Sequence, residues 1–293
     1  MMGSETVLTS VLASVLAIAG GGGAPVAQPT RPELPGGAVS VSMSRVDGQV
    51  VVPVSVDGQG PFLFRIDTGS SVPVSIEATL VAQLGLANAG EAMTGFAIDR
   101  IELGGATFRD VAAAVRAPGA GAAAPTGSPS LVQGVLGFPF FRDVLLTIDY
   151  AAGTVELQQG SLSAETEGVV PLVGALDTPQ VPLQIGDHVY LARIDTGFAD
   201  NVVLPLAAAS EVRTETAPAP VGYVQADGRS LEARSARLAE PLLVAGRRYD
   251  RLPVLFADLP SGPRLGYGML AYFSLTFDQA AGLVRITESG TAG

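Results

Sequence analysis

The sequence RIDTG occupies residues 65–69, and the same five residues occur again at 193–197, 128 positions later. A single Asp-Thr-Gly is a common turn, because aspartate accepts local backbone hydrogen bonds and glycine allows a positive φ. Both copies, however, end an apolar run, FLF at 62–64 and YLA at 190–192. A carboxylate at the end of a core strand is costly unless its charge is satisfied or used. The repeated aspartate therefore indicates a functional site.

Three further stretches recur 129 positions later, and these are Val52-Pro53 with Val181-Pro182, Leu136-Gly137-Phe138 with Leu265-Gly266-Tyr267, and LLTIDYAAGTVEL (145–157) with SLTFDQAAGLVRI (274–286). A solenoid needs more and shorter repeats. The pattern instead predicts an internal duplication of one small domain. The two copies join near 158–167.

The predicted organisation has four segments. They are a signal-like segment with a Gly/Pro-rich linker outside the fold (1–37), an N-terminal lobe (38–160), a C-terminal lobe (161–288) and a short tail (289–293).

Each copy has short apolar runs separated by glycine turns. Residues 50–67 predict a hairpin around Asp57-Gly58, 145–157 predict a second hairpin, and IELGGATFRDVAAAV (101–115) continues the same spacing. Helical patterns are few, and they lie at 77–86, 205–212 and, as one turn, 138–144. The predicted fold class is all-β, mostly β with short helices, in two similar lobes with the active site between them.

The composition excludes several classes of function. Charged residues make up 15% of the 293 residues, and the formal net charge is −11, so neither a nucleic acid nor an anionic membrane is an expected partner. The chain has no cysteine and one histidine, His188, which excludes thiolate nucleophiles and cysteine-based metal sites. We therefore expect neither a metal nor a cofactor.

The N-terminus resembles an export signal. Residues 7–19 are an apolar run that ends in Ala17-Ile18-Ala19, and the run is too short to span a membrane comfortably. Glu5 precedes it where a signal peptide has basic residues, so a hydrophobic terminus or a misassigned start are the alternatives. We expect an exported protein, periplasmic or extracellular, with no membrane span in the mature chain.

These motifs resemble those of the aspartic proteases of the retropepsin and pepsin clan. Asp67-Thr68-Gly69-Ser70-Ser71 matches the family signature, and Asp195-Thr196-Gly197-Phe198 is similar to the form seen in small bacterial members. Leu136-Gly137 and Leu265-Gly266 lie where the family has an element that backs each catalytic loop. The resemblance covers about residues 40 to 287.

The resemblance implies a single-chain, bilobal enzyme with Asp67 and Asp195 as the catalytic pair. Two carboxylates this close hold one proton, so the ionised member activates a water and the protonated member donates to the scissile carbonyl. Thr68 and Thr196 would join the two loops by hydrogen bonds, and Gly69 and Gly197 would allow each loop to turn sharply. The expected substrate is an extended peptide or protein, and the expected state is a monomer.

Phe198 departs from the family pattern. Ser70 is expected to hydrogen-bond Asp67, whereas Phe198 offers no hydroxyl to Asp195. The pair is therefore expected to be uneven, with Asp67 as the charged member.

The family also closes over its substrate with a β-hairpin. Residues 221–238 have this pattern, with Tyr223 as a possible substrate contact and Asp227-Gly228 at the tip. The corresponding stretch of the first copy, 92–103, is shorter. A functional flap and a purely structural hairpin are both open.

Other readings stay open. Arg65 and Arg193 each precede an aspartate by two positions and share its strand face, so each could pair with that aspartate or with a neighbouring carboxylate. A Ser-His-Asp hydrolase would have to use His188, but no G-x-S-x-G elbow is present. Gly20–Gly23 lack the Lys-Ser/Thr of a phosphate loop. The alternatives to a protease are an inactive peptide-binding protein with the same fold and a purely structural β protein.

Overall fold

The computed structural model describes residues 30–46, 48–86, 95–116, 131–173, 177–226 and 229–288. Most of the predicted signal-like segment, the predicted flap tip Asp227-Gly228 and the tail 289–293 lie outside these residues.

The first half of the chain consists mainly of short strands. Its strands are β1 (Thr30–Glu33), β2 (Ala38–Ser42), β3 (Ser44–Val46), β4 (Gln49–Val56), β5 (Gln59–Asp67), β6 (Val74–Glu77), β7 (Phe96–Leu103), β8 (Ala106–Arg116), β9 (Gly134–Gly137), β10 (Leu145–Asp149) and β11 (Thr154–Gln158). One α-helix, α1 (Ala78–Leu84), follows β6, and 3₁₀ turns form at Pro35–Gly37 and Phe138–Phe141.

The second half repeats this organisation. Its strands are β12 (Val169–Pro171), β13 (Gln180–Ile185), β14 (His188–Ile194), β15 (Val202–Pro205), β16 (Ala219–Ala226), β17 (Arg229–Arg237), β18 (Leu242–Val244), β19 (Arg247–Tyr249), β20 (Pro253–Ala257), β21 (Arg264–Leu265), β22 (Phe273–Asp278) and β23 (Leu283–Glu288). A 3₁₀ turn, Leu206–Ser210, takes the position of α1, and the four-residue helix α2 (Tyr267–Leu270) follows β21.

Six strands of the N-terminal lobe close into a barrel. Each strand pairs with the next in the order β4, β7, β8, β6, β9 and β5, and β5 pairs back to β4. The predicted turns join the hairpins: Asp57 and Gly58 both have positive φ, as do Gly104 and Gly105 between β7 and β8. The predicted all-β class with short helices is confirmed.

The C-terminal lobe repeats these pairings, except that the strand corresponding to β7 is divided into two. Strand β13 pairs with β14, and β15 runs parallel to β20 as β6 runs parallel to β8. Gln184 lies opposite Leu243 on β18, as Ser55 lies opposite Glu102 on β7. Strands β17 and β18 thus take the position of β7, and the hairpin β16–β17 extends from the lobe. The origin of this likeness in a duplication stays a prediction.

A third sheet joins the two lobes. Its strand order is β12-β23-β22-β10-β11-β2, so both halves of the chain contribute strands. Strands β10 and β22 pair at the centre, where Thr147 lies opposite Thr276 and the two hydroxyls are 2.9 Å apart. One hydrophobic core extends from this sheet into both lobes.

The linker predicted through residue 37 is wrong for residues 30–37. Strand β1 pairs with the N-terminal half of β8, and Leu34 is buried in the core. The free backbone edge of β8 accepts this strand, which the Gly/Pro content of the segment concealed. The other predicted segment boundaries stay predictions. Among the described residues, no helix has the length and hydropathy needed to cross a bilayer.

Candidate active site

Two strand ends carry the repeated aspartates. Strand β5 ends at Asp67 and runs parallel to β9, so that Asp67 lies beside Gly137. Strand β14 ends immediately before Asp195 and runs parallel to β21, and the Asp195 N–H donates to the Leu265 carbonyl at 2.9 Å. The two Leu-Gly pairs therefore lie behind the two loops.

The glycines of this backing element allow the loops to pass close by. A Cβ on Gly137 would lie 2.0 Å from the Val72 carbonyl oxygen, and a Cβ on Gly266 would lie 2.4 Å from the Asp200 carbonyl oxygen. A larger residue at either position would push the loop forward, so these two glycines fix the depth of the aspartates.

The two loops are joined by reciprocal hydrogen bonds between Thr68 and Thr196. The Thr68 N–H donates to the Thr196 hydroxyl at 3.0 Å, and the Thr196 N–H donates to the Thr68 hydroxyl at 3.1 Å. Each hydroxyl then donates across the lobes, Thr68 to the Ile194 carbonyl at 2.6 Å and Thr196 to the Ile66 carbonyl at 2.8 Å. Both threonines are fully buried, so all four bonds are shielded from water.

Each aspartate lies against the glycine of the opposite loop. A Cβ built on Gly69 would be 2.5 Å from the Asp195 Cγ, and a Cβ built on Gly197 would be 2.5 Å from the Asp67 Cγ. The Asp67 and Asp195 side chains therefore lie side by side at the joint between the lobes. A side chain at either glycine would displace the opposite carboxylate.

Each carboxylate accepts one backbone and one arginine hydrogen bond. Oδ1 of Asp67 accepts the Gly69 N–H at 3.0 Å, and Oδ1 of Asp195 accepts the Gly197 N–H at 3.1 Å. Arg65 Nη2 donates to Oδ2 of Asp67 at 2.7 Å, and Arg264 Nη1 donates to Oδ2 of Asp195 at 3.0 Å. The surroundings of the two carboxylates match, although the two arginines come from different strands.

Residues 52–140 match the sequence model of a family described as aspartyl protease. The resemblance to the retropepsin-like aspartic proteases is confirmed. A search of curated proteins found no match. The matched residues include the Asp67 loop and Leu136-Gly137, and the likeness of the C-terminal lobe rests on its own RIDTG and on its shared strand register.

Of the two predicted arginines near the aspartates, one pairs with its aspartate. Arg65 forms the ion pair with Asp67, but the Arg193 guanidinium points across the joint, 3.5 Å from the Gly69 carbonyl. Gln49 Nε2 donates to the Gly197 carbonyl at 2.9 Å. The carbonyl of each loop glycine is therefore contacted by a side chain of the other lobe.

Sequence reasoning missed Arg264. This residue lies in the backing element, where the first copy has Val135, and it pairs in register with Arg193 across β14 and β21. The signal that could have identified it was a buried-strand arginine directly before Leu265-Gly266, where the first copy is apolar.

The electrostatics of the candidate site single out Asp195. Burial, together with the charge of Asp67, raises the pKa of the Asp195 carboxyl to about 7, although Arg264, Arg193 and Arg65 all act to lower it. Burial also raises the pKa of the nearby Tyr150 phenol. Asp195 is thus the carboxyl that holds a proton most readily.

The structure changes the predicted roles of Ser70 and Phe198. The Ser70 hydroxyl contacts the backbone of Val72, at 3.3 Å from its nitrogen and 3.4 Å from its oxygen, so the expected bond from Ser70 to Asp67 does not form. Phe198 is only 4% exposed. Its ring packs in a second hydrophobic cluster with Val203 and Val224, and the Arg264 Cζ lies 5.6 Å from the ring centroid.

The predicted flap is a hairpin in the structure. Strands β16 and β17 pair from Ala219 to Arg237, and the tip Asp227-Gly228 lies outside the described residues. Val224, Ala226 and Leu231 face the Phe198 cluster, whereas Tyr223 on the other side is 67% exposed. The half of the hairpin nearer its tip is thus packed against Phe198 of the aspartate loop.

The remaining candidates lie elsewhere or are absent from the described part of the chain. His188 begins β14, at the opposite end of that strand from Asp195, and its ring stacks on Tyr190. Among the described residues, no three acidic, histidine or cysteine side chains gather as a metal site would require.

Proposed function

We propose that the protein is an aspartic endopeptidase, in which Asp67 and Asp195 activate a water for the hydrolysis of peptide bonds. The observation that carries this proposal is the reciprocal pair of hydrogen bonds between Thr68 and Thr196, which joins the two loops. The Thr68 and Thr196 hydrogen bonds hold each carboxylate against the glycine of the opposite loop, which is the proximity that a shared proton requires. The aspartyl protease match of residues 52–140 supports the same reaction class.

The two carboxylates have matching hydrogen-bond partners but differ in burial, since the Asp67 side chain is 13% exposed and the Asp195 side chain 6%. Burial and the charge of Asp67 raise the pKa of Asp195, so we assign the single shared proton to Asp195 and the charge to Asp67. Asp67 takes a proton from the water as its oxygen attacks the scissile carbonyl carbon, and Asp195 gives its proton to the carbonyl oxygen. In the second step Asp67 passes its proton to the leaving nitrogen, Asp195 recovers one from the gem-diol, and the C–N bond breaks.

An extended peptide is the proposed substrate. Strand β16 is the edge of the C-terminal sheet, so one side of its backbone is free to pair with an added strand. Exposed Val221 and Tyr223 lie on this strand and offer apolar contacts. Because one chain supplies both aspartate loops, a monomer has a complete site. We extend the proposal to an exported enzyme because residues 7–19 resemble a signal segment.

A peptide-binding protein without activity is the second candidate. The observation that favours it is that both carboxylates are paired with arginine, which could hold both of them ionised. The two candidates differ in cleavage, since both would bind extended peptides.

The test is digestion of a peptide library from about pH 3 to 8 by the wild type, Asp67→Asn and Asp195→Asn. We expect the wild type to cleave, each variant to lose at least about 10³-fold in kcat/KM, and a statine-type inhibitor to block the wild type. Peptide binding without cleavage across that range would support the second candidate. Cleavage that persists in both variants would exclude this pair as the site of chemistry.

A further inference from the structure

Both proposed catalytic carboxylates are paired with a buried arginine. The Arg264 and Asp195 side chains are each 6% exposed, and Arg65 and Asp67 are 10% and 13% exposed. Solvent therefore screens these contacts little, and an opposite charge at hydrogen-bond distance strongly favours the ionised carboxylate. Such pairing must influence the pH at which the aspartates hold their one proton.

The arginine of the C-terminal lobe comes with a second change at the same place. Where the first copy has Ser70 and Val135, the second has Phe198 and Arg264. The Phe198 ring lies on the Arg264 guanidinium at 5.6 Å, and the guanidinium bonds Oδ2 of Asp195. The aromatic ring thus replaces a hydroxyl in the loop, while the arginine supplies a donor to the aspartate from behind it.

Charged groups reach the aspartates from three strands. Arg65 approaches on β5, Arg193 on β14 and Arg264 on β21, and all three oppose protonation of Asp195. Tyr150 lies close enough to Asp195 to feel its charge, and it packs on Tyr267 with ring centroids 5.8 Å apart. Because three guanidinium groups face two carboxylates, each proton that the carboxylates gain increases the excess of positive charge at the site.

We propose, given the proposed protease function, that Arg264 is a positioning residue that sets the alkaline limit of activity by lowering the proton affinity of Asp195. With the Phe198 ring against its guanidinium, Arg264 makes for Asp195 the contact that Arg65 makes for Asp67, and it holds the Asp195 carboxyl in a fixed orientation. Burial favours the protonated form of Asp195 and the arginines favour the ionised form. Together they keep Asp195 protonated from acidic to neutral pH and ionised at higher pH.

The test compares pH profiles of kcat/KM for the wild type, Arg264→Gln and Arg264→Lys. Loss of the positive charge in Arg264→Gln should leave Asp195 protonated to higher pH, so we expect the alkaline limb to move up by about one to three pH units. Arg264→Lys keeps a charge and should move the limb less. Arg193→Gln is the matched control, because it removes a guanidinium from the neighbouring strand whose nearest acceptor is the Gly69 carbonyl, and its shift should be smaller.

A purely structural role gives a different result. In that case Arg264→Gln lowers kcat at every pH and leaves the alkaline limb where it is, which would overturn the inference. An equal shift in Arg193→Gln would also overturn it, since the effect would then belong to net charge and not to the contact with Asp195.

A second measurement keeps this inference separate from the proposed function. The free energy of unfolding of wild type and Arg264→Gln is measured by urea denaturation across the same pH range. If no variant or wild type cleaves peptide, the protease proposal fails, but the fall in stability with rising pH should still extend to higher pH in Arg264→Gln. Parallel stability curves for the two proteins would overturn the role of Arg264 whatever the activity.

Discussion

The Thr68 amide donates to the Thr196 hydroxyl, and the Thr196 amide donates to the Thr68 hydroxyl. This exchange joins two loops that are 128 residues apart in the chain. Each hydroxyl also donates to a strand carbonyl of the opposite lobe, so both amides and both hydroxyls of the pair are satisfied in a fully buried position. Because these hydrogen bonds hold the two loops together, they also fix the separation of Asp67 and Asp195.

Replacing Thr68 with valine should remove two of the hydrogen bonds that join the loops. The change keeps the side-chain shape but leaves the Thr196 amide and the Ile194 carbonyl without partners, and each such buried group costs about 1–3 kcal/mol. We expect the free energy of unfolding in urea to fall by about 2–6 kcal/mol. Thr68→Ser retains the hydroxyl and is the control. If Thr68→Val proved as stable as Thr68→Ser, water would have to replace the lost hydrogen bonds and the prediction would be wrong.

Gly69→Ala should reduce activity more than stability. Its Cβ would meet the Asp195 carboxyl at 2.5 Å, and a displacement of about 1 Å at a reacting group can cost about a hundredfold in rate. We expect at least that loss in kcat/KM. Gly246→Ala, in the β18–β19 turn with φ of +75° and open space around it, is the control. It should cost about 1 kcal/mol of stability and little activity, and equal activity in the two variants would contradict the prediction.

The raised pKa of Asp195 predicts the sign of a pH effect on stability. Its pKa is about 7 in the folded protein and 3.8 ordinarily, so between these values the folded state binds more protons than the unfolded state. The free energy of unfolding should therefore fall as pH rises from about 4 to 7, with no penalty below this window and the full penalty above it. Asp195→Asn should flatten this slope in urea titrations. An unchanged slope would show that Asp195 titrates normally.

Tyr223→Ala should weaken substrate binding without loosening the fold. The side chain is 67% exposed on the edge strand of the hairpin, so it contributes little to the core. We expect KM for peptides to rise about tenfold, with the urea midpoint unchanged. Tyr272→Ala is a matched control, since Tyr272 is 66% exposed but follows α2, outside the hairpin. Equal KM values for the two variants would exclude Tyr223 as a substrate contact.

Local chemistry explains which features the sequence could predict. The Asp57-Gly58 and Gly104-Gly105 turns specify their hairpins, because both residues of each pair adopt positive φ. The repeated Asp-Thr-Gly and Leu-Gly elements likewise identified the loops and their backing strands. These features depend on residues that are close in the chain or repeated in it.

The missed features depend on contacts between distant strands. Arg264 reaches Asp195 only because β21 lies beside β14 in parallel register, which the sequence around either residue does not reveal. Strand β1 forms because the edge of β8 is free. The predicted bond from Ser70 to Asp67 does not form, because the Ser70 hydroxyl contacts the Val72 backbone and Arg65 bonds Oδ2 of Asp67.

The pairing of β10 with β22 has a consequence for how a substrate could enter. Five consecutive residue pairs, from Leu145–Asp278 to Asp149–Ser274, join the lobes in one continuous sheet. A continuous sheet of this kind resists rotation of one lobe against the other. Under the proposed protease function, substrate entry would therefore rely on movement of the β16–β17 hairpin, and we expect unfolded or loosely folded segments to be the preferred substrates.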